Sequence, residues 1–157
     1  MTTRYAGIVN VTGDPDSGKT RFFLEAAPLS KIALFHDDIK RPPMIDKLGL
    51  FIDLVKETQG MKMMDWGQFV ADKIAKIKPN QFDAIIFDTW ARTEQALRYW
   101  GKAHAHEFRE SSTFSMMGKM KSGEEWKEGD RYTARLINEM ASKAKFVGLI
   151  THLKEQN

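Results

Sequence analysis

Four short runs of nearly continuous apolar residues, the last three closing on polar ones, divide the chain: Tyr5 to Val11, Lys31 to Asp38, Phe82 to Thr89 and Phe146 to His152. Runs of this length without alternation predict strands buried on both faces, as in a parallel sheet, and Tyr5 to Val11 is expected to be a buried central strand. Between the runs, apolar positions recur at helical spacing. Arg21 to Ala27 predicts a helix with Phe22, Phe23 and Ala26 inward, stopped by Pro28. Asp65 to Lys78 predicts a second, with Trp66, Phe69, Val70, Ile74 and Ile77 as its stripe, Asp65 as N-cap candidate and Pro79-Asn80 as its stop. Ala91 to Glu110 and Arg131 to Lys145 predict two more, with His104 and His106 on different faces of the first and solvated. Met44 to Thr58 is open between a helix and a helix with a short strand at Leu50 to Val55. Ser111 to Gly129 breaks the periodicity, with Gly118, Gly123 and Gly129 as punctuation, and reads as a loop or insertion. Strands alternating with helices make the expected class α/β, three layers around a mainly parallel central sheet, in one domain spanning residues 1–157.

Composition narrows the classes. At 157 residues and 42% hydrophobic, the chain has material for a real core. Its 24 Lys and Arg against 21 Asp and Glu leave 24 − 21 = +3, a balance that permits a nucleic-acid partner without requiring one. With no cysteine, neither a disulfide framework nor a thiolate metal site is available. No apolar run approaches the roughly 18 residues of a membrane span, and no secretory signal pattern opens the chain, so a cytoplasmic protein without membrane contact is expected.

The chemistry concentrates after the first apolar run, where Gly13-Asp14-Pro15-Asp16-Ser17-Gly18-Lys19-Thr20 has the form GxxxxGK[ST]. Between a strand and a helix this spacing makes a phosphate cradle: glycines let backbone N–H groups turn inward, and the helix start adds roughly half a positive charge. Gly13 through Thr20, with Arg21, form the expected nucleotide-binding run, in which Lys19 meets the outer phosphates and Thr20 offers its hydroxyl to Mg²⁺. About 70 residues on, Ile85-Ile86-Phe87-Asp88 ends a strand in an acid, as a second Mg²⁺ holder does. Asp37 and Asp38 emerge at a strand's carboxyl end, where parallel sheets place ligands; they suit a general base that polarises water, or the cap of a turn. Thr151 and His152 end the last strand, where His152 either meets a terminal phosphate or is a plain strand-end histidine. In the 111–129 stretch, Lys119, Lys121, Trp126 and Lys127 interleave cations with a flat ring, as single-stranded nucleic acid requires; a surface loop or subunit contact accounts for them equally.

In order and spacing, Gly13 to Thr20, the strand ending at Asp37-Asp38, Ile85 to Asp88 and Leu149-Ile150-Thr151-His152-Leu153-Lys154 resemble the motifs of RecA-like P-loop ATPases of the AAA type. The nearest resemblance is to small phage and bacterial nucleotide-binding proteins related to single-strand annealing recombinases. It implies ATP and Mg²⁺ as cofactors, ATP hydrolysis in recombination or annealing of DNA, Asp38 before Asp37 as the water-activating acid, and His152 as sensor of the γ-phosphate. It also implies a homo-oligomeric ring or filament in which a neighbour supplies a Lys or Arg, here Lys154. Two alternatives stand beside it, a nucleotide or small-molecule kinase and a nucleotide-gated DNA-binding module without turnover. A GTPase is excluded, because Asp88-Thr89-Trp90-Ala91 lacks the Gly of DxxG and no NKxD occurs. Asp16 stands where the family has a small residue. A carboxylate about 6 Å from a phosphate costs roughly 3 kcal/mol at an effective dielectric near 20, so Asp14 and Asp16, unless both point to solvent, predict weak, Mg²⁺-dependent binding.

Overall fold

The computed structural model describes residues 7–13, 18–40, 42, 44–104 and 124–152. Their element order is β1 (Gly7–Gly13), α1 (Lys19–Leu24), β2 (Ile32–His36), β3 (Leu50–Asp53), α2 (Leu54–Glu57), α3 (Met63–Lys76), β4 (Ala84–Asp88), α4 (Ala91–Ala103), α5 (Glu124–Lys143) and β5 (Phe146–His152). The chain is α/β, and all five strands pair in parallel in the order β1-β5-β4-β2-β3. The four apolar runs are all strands, and the open segment before Thr58 resolves as β3 followed by the single turn α2, which Asp53 caps by accepting from the Lys56 N–H.

The chain gathers into two compact units, one from residues within 1–59, 77–92 and 137–157, the other from 60–76 and 93–136. In the first, β2 and β4 are buried at every position, as near-continuous apolar runs in the middle of a parallel sheet should be. Their side chains alternate between two faces. Ile32, Leu34, Ala84 and Ile86 join Phe146, Ile150 and Phe23 of α1 in one core cluster, while Phe35 and Phe87 stack on the opposite face with centroids 4.5 Å apart. Gly148 on β5 sits directly under the Phe23 ring, where an added Cβ would lie 2.8 Å from a ring carbon. The absence of a side chain at 148 therefore lets α1 press onto the sheet.

In the second unit, small residues set the helix contacts. A Cβ on Gly67 of α3 would meet the Ala96 carbonyl oxygen at 2.5 Å, and one on Gly129 of α5 would meet that of Arg98 at 2.5 Å. Trp100 stacks between His104 and Tyr132, with centroids 4.0 and 4.3 Å away, and donates from Nε1 to Gln68.

Several expectations are corrected. β1 is not a buried central strand; it lies at the end of the strand order, paired with β5 alone among the described strands, and Ile8 is 43% exposed. Helix α1 ends at Leu24, and Phe22 is exposed while Phe23 is the buried ring. Asp65 lies in the first turn of α3, which begins at Met63, and so is not its N-cap. His104 is not simply solvated; it stacks on Trp100, and its Nδ1 lies 2.8 Å from that residue's carbonyl oxygen. Residues 124–129 belong to α5 and not to a loop, because Gly129 serves close packing and does not end the helix.

Candidate functional site

Parallel strands all present their carboxyl ends on one rim, and the pairing register fixes which residues meet there. Asp53, His36, Asp88 and Ile150 form one lateral row across β3, β2, β4 and β5, and His152 lies beside Gly13 two residues further out. His36 and Asp88 each follow a core residue, Leu34 and Ile86, by two positions, so both project from the α1 face. The same alternation carries His152, two beyond Ile150, to that face.

Helix α1 completes the arrangement. The Thr20 hydroxyl donates to Asp88 Oδ2, joining two residues 68 apart in sequence. Lys19 is only 6% exposed, and its Nζ donates to the Gly13 carbonyl at 2.7 Å, so its charge stands at the carboxyl end of β1. Gly18 precedes the helix in the left-handed region at φ 85°, a conformation that favours glycine at this point of the motif. Arg21 turns outward and pairs with Glu25 at 2.8 Å, which raises the Arg21 pKa. Asp14, Pro15, Asp16 and Ser17 lie outside the described residues.

The two acids after β2 have different surroundings. Asp38 is exposed and its Oδ1 accepts from the Lys40 N–H at 3.1 Å, which is the turn-capping alternative. The Asp37 side chain is 2% exposed, and its Oδ1 faces Arg92 Nη1 at 3.4 Å. Its backbone N–H donates to the Asp88 carbonyl at 2.6 Å, tying it to the rim beside the β4 acid. Burial raises the Asp37 carboxyl above its ordinary pKa, and the charge of Arg92 opposes that shift without cancelling it.

Three of the predicted cation-holding and phosphate-facing residues, Lys19, Thr20 and Asp88, are thus brought together, with His152 on the same rim and face. On the opposite face, Thr12 and Thr151 share a hydrogen bond of 2.7 Å between their hydroxyls. Trp126 and Lys127 lie on α5; Lys102 Nζ stands 4.3 Å and the Arg98 guanidinium 5.3 Å from the Trp126 ring centroid, and Lys127 is exposed. Lys119, Lys121 and Lys154 lie outside the described residues.

His36 escaped the reading of the sequence. It is 3% exposed, and its Nδ1 is buried without a hydrogen-bond partner among the described residues; the same holds for Nδ1 of His152. The available signal was parity: a titratable residue two positions after Leu34 shares that residue's face of the sheet. No protein-family model matches the chain, and no curated protein matches it significantly.

Proposed function

We propose that the chain is a RecA-like P-loop ATPase that binds Mg²⁺-ATP and hydrolyses it slowly in recombination or single-strand annealing of DNA. The observation that carries the reading is the contact between Thr20 and Asp88. The motif logic assigns each of these oxygens separately to one cation, and the fold sets them against each other beside Lys19.

The donor set suits Mg²⁺. Hydroxyl and carboxylate oxygens are hard ligands, and Mg²⁺ takes one or two of them while keeping waters and substrate phosphates. Among the described residues no group of three or more His, Asp or Glu forms an all-protein cage. When bound, the cation neutralises phosphate charge and orients the group transferred. Thr20 and Asp88 fix its place, and Lys19, already desolvated, presents a compact positive charge to the outer phosphates. Of the two acids, Asp38 shares the parity of His36 and is the one the motif resemblance selects, while Asp37 has the parity of Phe35 and is buried against Arg92. His152 offers a ring nitrogen at the tip of β5. The DNA role rests on the motif resemblance alone.

Replacing Lys19 with Ala is expected to weaken ATP binding at least about tenfold, the value of one charge-assisted contact, and to abolish turnover. Binding and hydrolysis equal to the parent's would refute the site. Turnover of the intact protein should rise with single-stranded DNA, steeply less so as salt increases. A phosphorylated small-molecule product would make it a kinase, and tight binding without turnover a nucleotide-gated module.

A further inference from the structure

We propose that His36 is a positioning residue that accepts, at Nδ1, a hydrogen bond from a water molecule in the hydration shell of the cation held by Thr20 and Asp88; this rests on the Mg²⁺-nucleotide reading. Three observations carry it. His36 and Asp88 are direct lateral partners on adjacent strands, about 4.8 Å apart at the backbone, and project from the face on which Thr20 bonds Asp88. His36 is buried to 3% exposure, against Phe51 on one side with ring centroids 5.8 Å apart. Its Nδ1 meets no hydrogen-bond partner among the described residues.

A buried ring nitrogen without a partner destabilises the fold, and Phe or Leu at position 36 would avoid that cost. Asp53, on the other flank of the row, is engaged at the start of α2 by the Lys56 N–H. The side of His36 toward Asp88 is where a Mg²⁺-bound water would stand, since Mg²⁺ dehydrates reluctantly and its waters are strong donors. With the ring proton on Nε2, Nδ1 is an acceptor and fits such a donor.

The test uses the full chain at pH 8 and a non-hydrolysable ATP analogue, with affinity measured by calorimetry in excess Mg²⁺ and again in EDTA. His36→Phe keeps a flat ring and removes both nitrogens; His36→Asn keeps an acceptor oxygen near the place of Nδ1. The Mg²⁺-dependent gain in affinity should fall about tenfold in His36→Phe, as expected for one lost hydrogen bond, and stay within about threefold of the parent in His36→Asn. Affinities in EDTA should agree within about threefold for all three proteins. In the parent, the ¹⁵N signal of His36 Nδ1 should move when analogue and Mg²⁺ are added together and stay in place with analogue in EDTA; this reading decides the matter if His36→Phe does not fold. The proposal is overturned by an unmoved signal, by equal losses with and without Mg²⁺, or by His36→Asn behaving as His36→Phe. If the parent binds analogue in a Lys19-dependent way and His36 is indifferent, this proposal alone falls. If the parent binds no analogue, the ATPase reading falls with it.

Discussion

Substituting Gly148 with Ala probes how the sheet holds helix α1. The new methyl would lie 2.8, 3.0 and 3.0 Å from three carbons of the Phe23 ring. Carbon atoms at optimal contact stand about 3.5–4.0 Å apart, so ring and strand must separate by roughly 0.5–1 Å. The ring has little freedom to retreat, being fully buried, stacked on Phe146 at 6.1 Å and edge-on to Phe22 at 5.3 Å. Overpacking of this kind costs about 1–3 kcal/mol. Phe23→Leu alone should cost roughly 1–2 kcal/mol through lost contact, yet it shortens the side chain that the added methyl would strike. The double variant should therefore lose less than the sum of the single losses, by about 1 kcal/mol or more. Urea unfolding measures this through the midpoint at unchanged slope. Since Phe23 lies three residues after Thr20, the proposed Mg²⁺-nucleotide site further predicts weaker nucleotide binding in Gly148→Ala, partly regained in the double variant. Strict additivity, or a Gly148→Ala protein as stable as the parent, would show that Phe23 does not rest on Gly148.

Asp37→Asn is expected to stabilise the fold most at pH 7–8. Burial raises the native Asp37 pKa above its unfolded value, so the native state binds the proton more tightly and stability falls as pH rises between the two values. The advantage of Asn should shrink as pH drops through that interval, and unfolding midpoints across pH 4–8 will show whether it does; a difference constant with pH would remove burial of the charge as the cause. Gly129→Ala offers a test by sign: on an exposed helix it would gain up to about 1 kcal/mol, but contact with the Arg98 carbonyl predicts a net loss of about 1–2 kcal/mol. A raised urea midpoint would count against the close approach of α4 and α5.

The strands were legible because desolvation leaves its mark on composition: a run such as Ile32 to Phe35 has no polar position to turn toward water. The pairing of Thr20 with Asp88 was legible for a different reason, since both were assigned to one cation before any geometry was known. Neighbour relations were not. The β-branched residues of β1 announce a strand, but only the register shows that it has a single described partner and an exposed Ile8. Gly129 misled because glycine breaks helices in isolation, whereas here the missing side chain admits another backbone. The division between Asp37 and Asp38 was equally hidden, because adjacent residues in an extended chain point to opposite sides and nothing in the sequence says which side is buried.

The register of β1 bears on when a site can exist at all. Its strand partner is β5, and Thr12 bonds a residue 139 positions later. A ribosome adding about 5–20 residues per second needs on the order of 7–28 s to cover that distance. Throughout that interval β1 lacks its described partner, while β2, β3 and β4 can already pair with one another. Such long-range closure also slows folding, since the entropy of the large loop is lost before the contacts form. Among the described strands, β1 should therefore be the one whose pairing waits longest, governed by the emergence of residues 146–152.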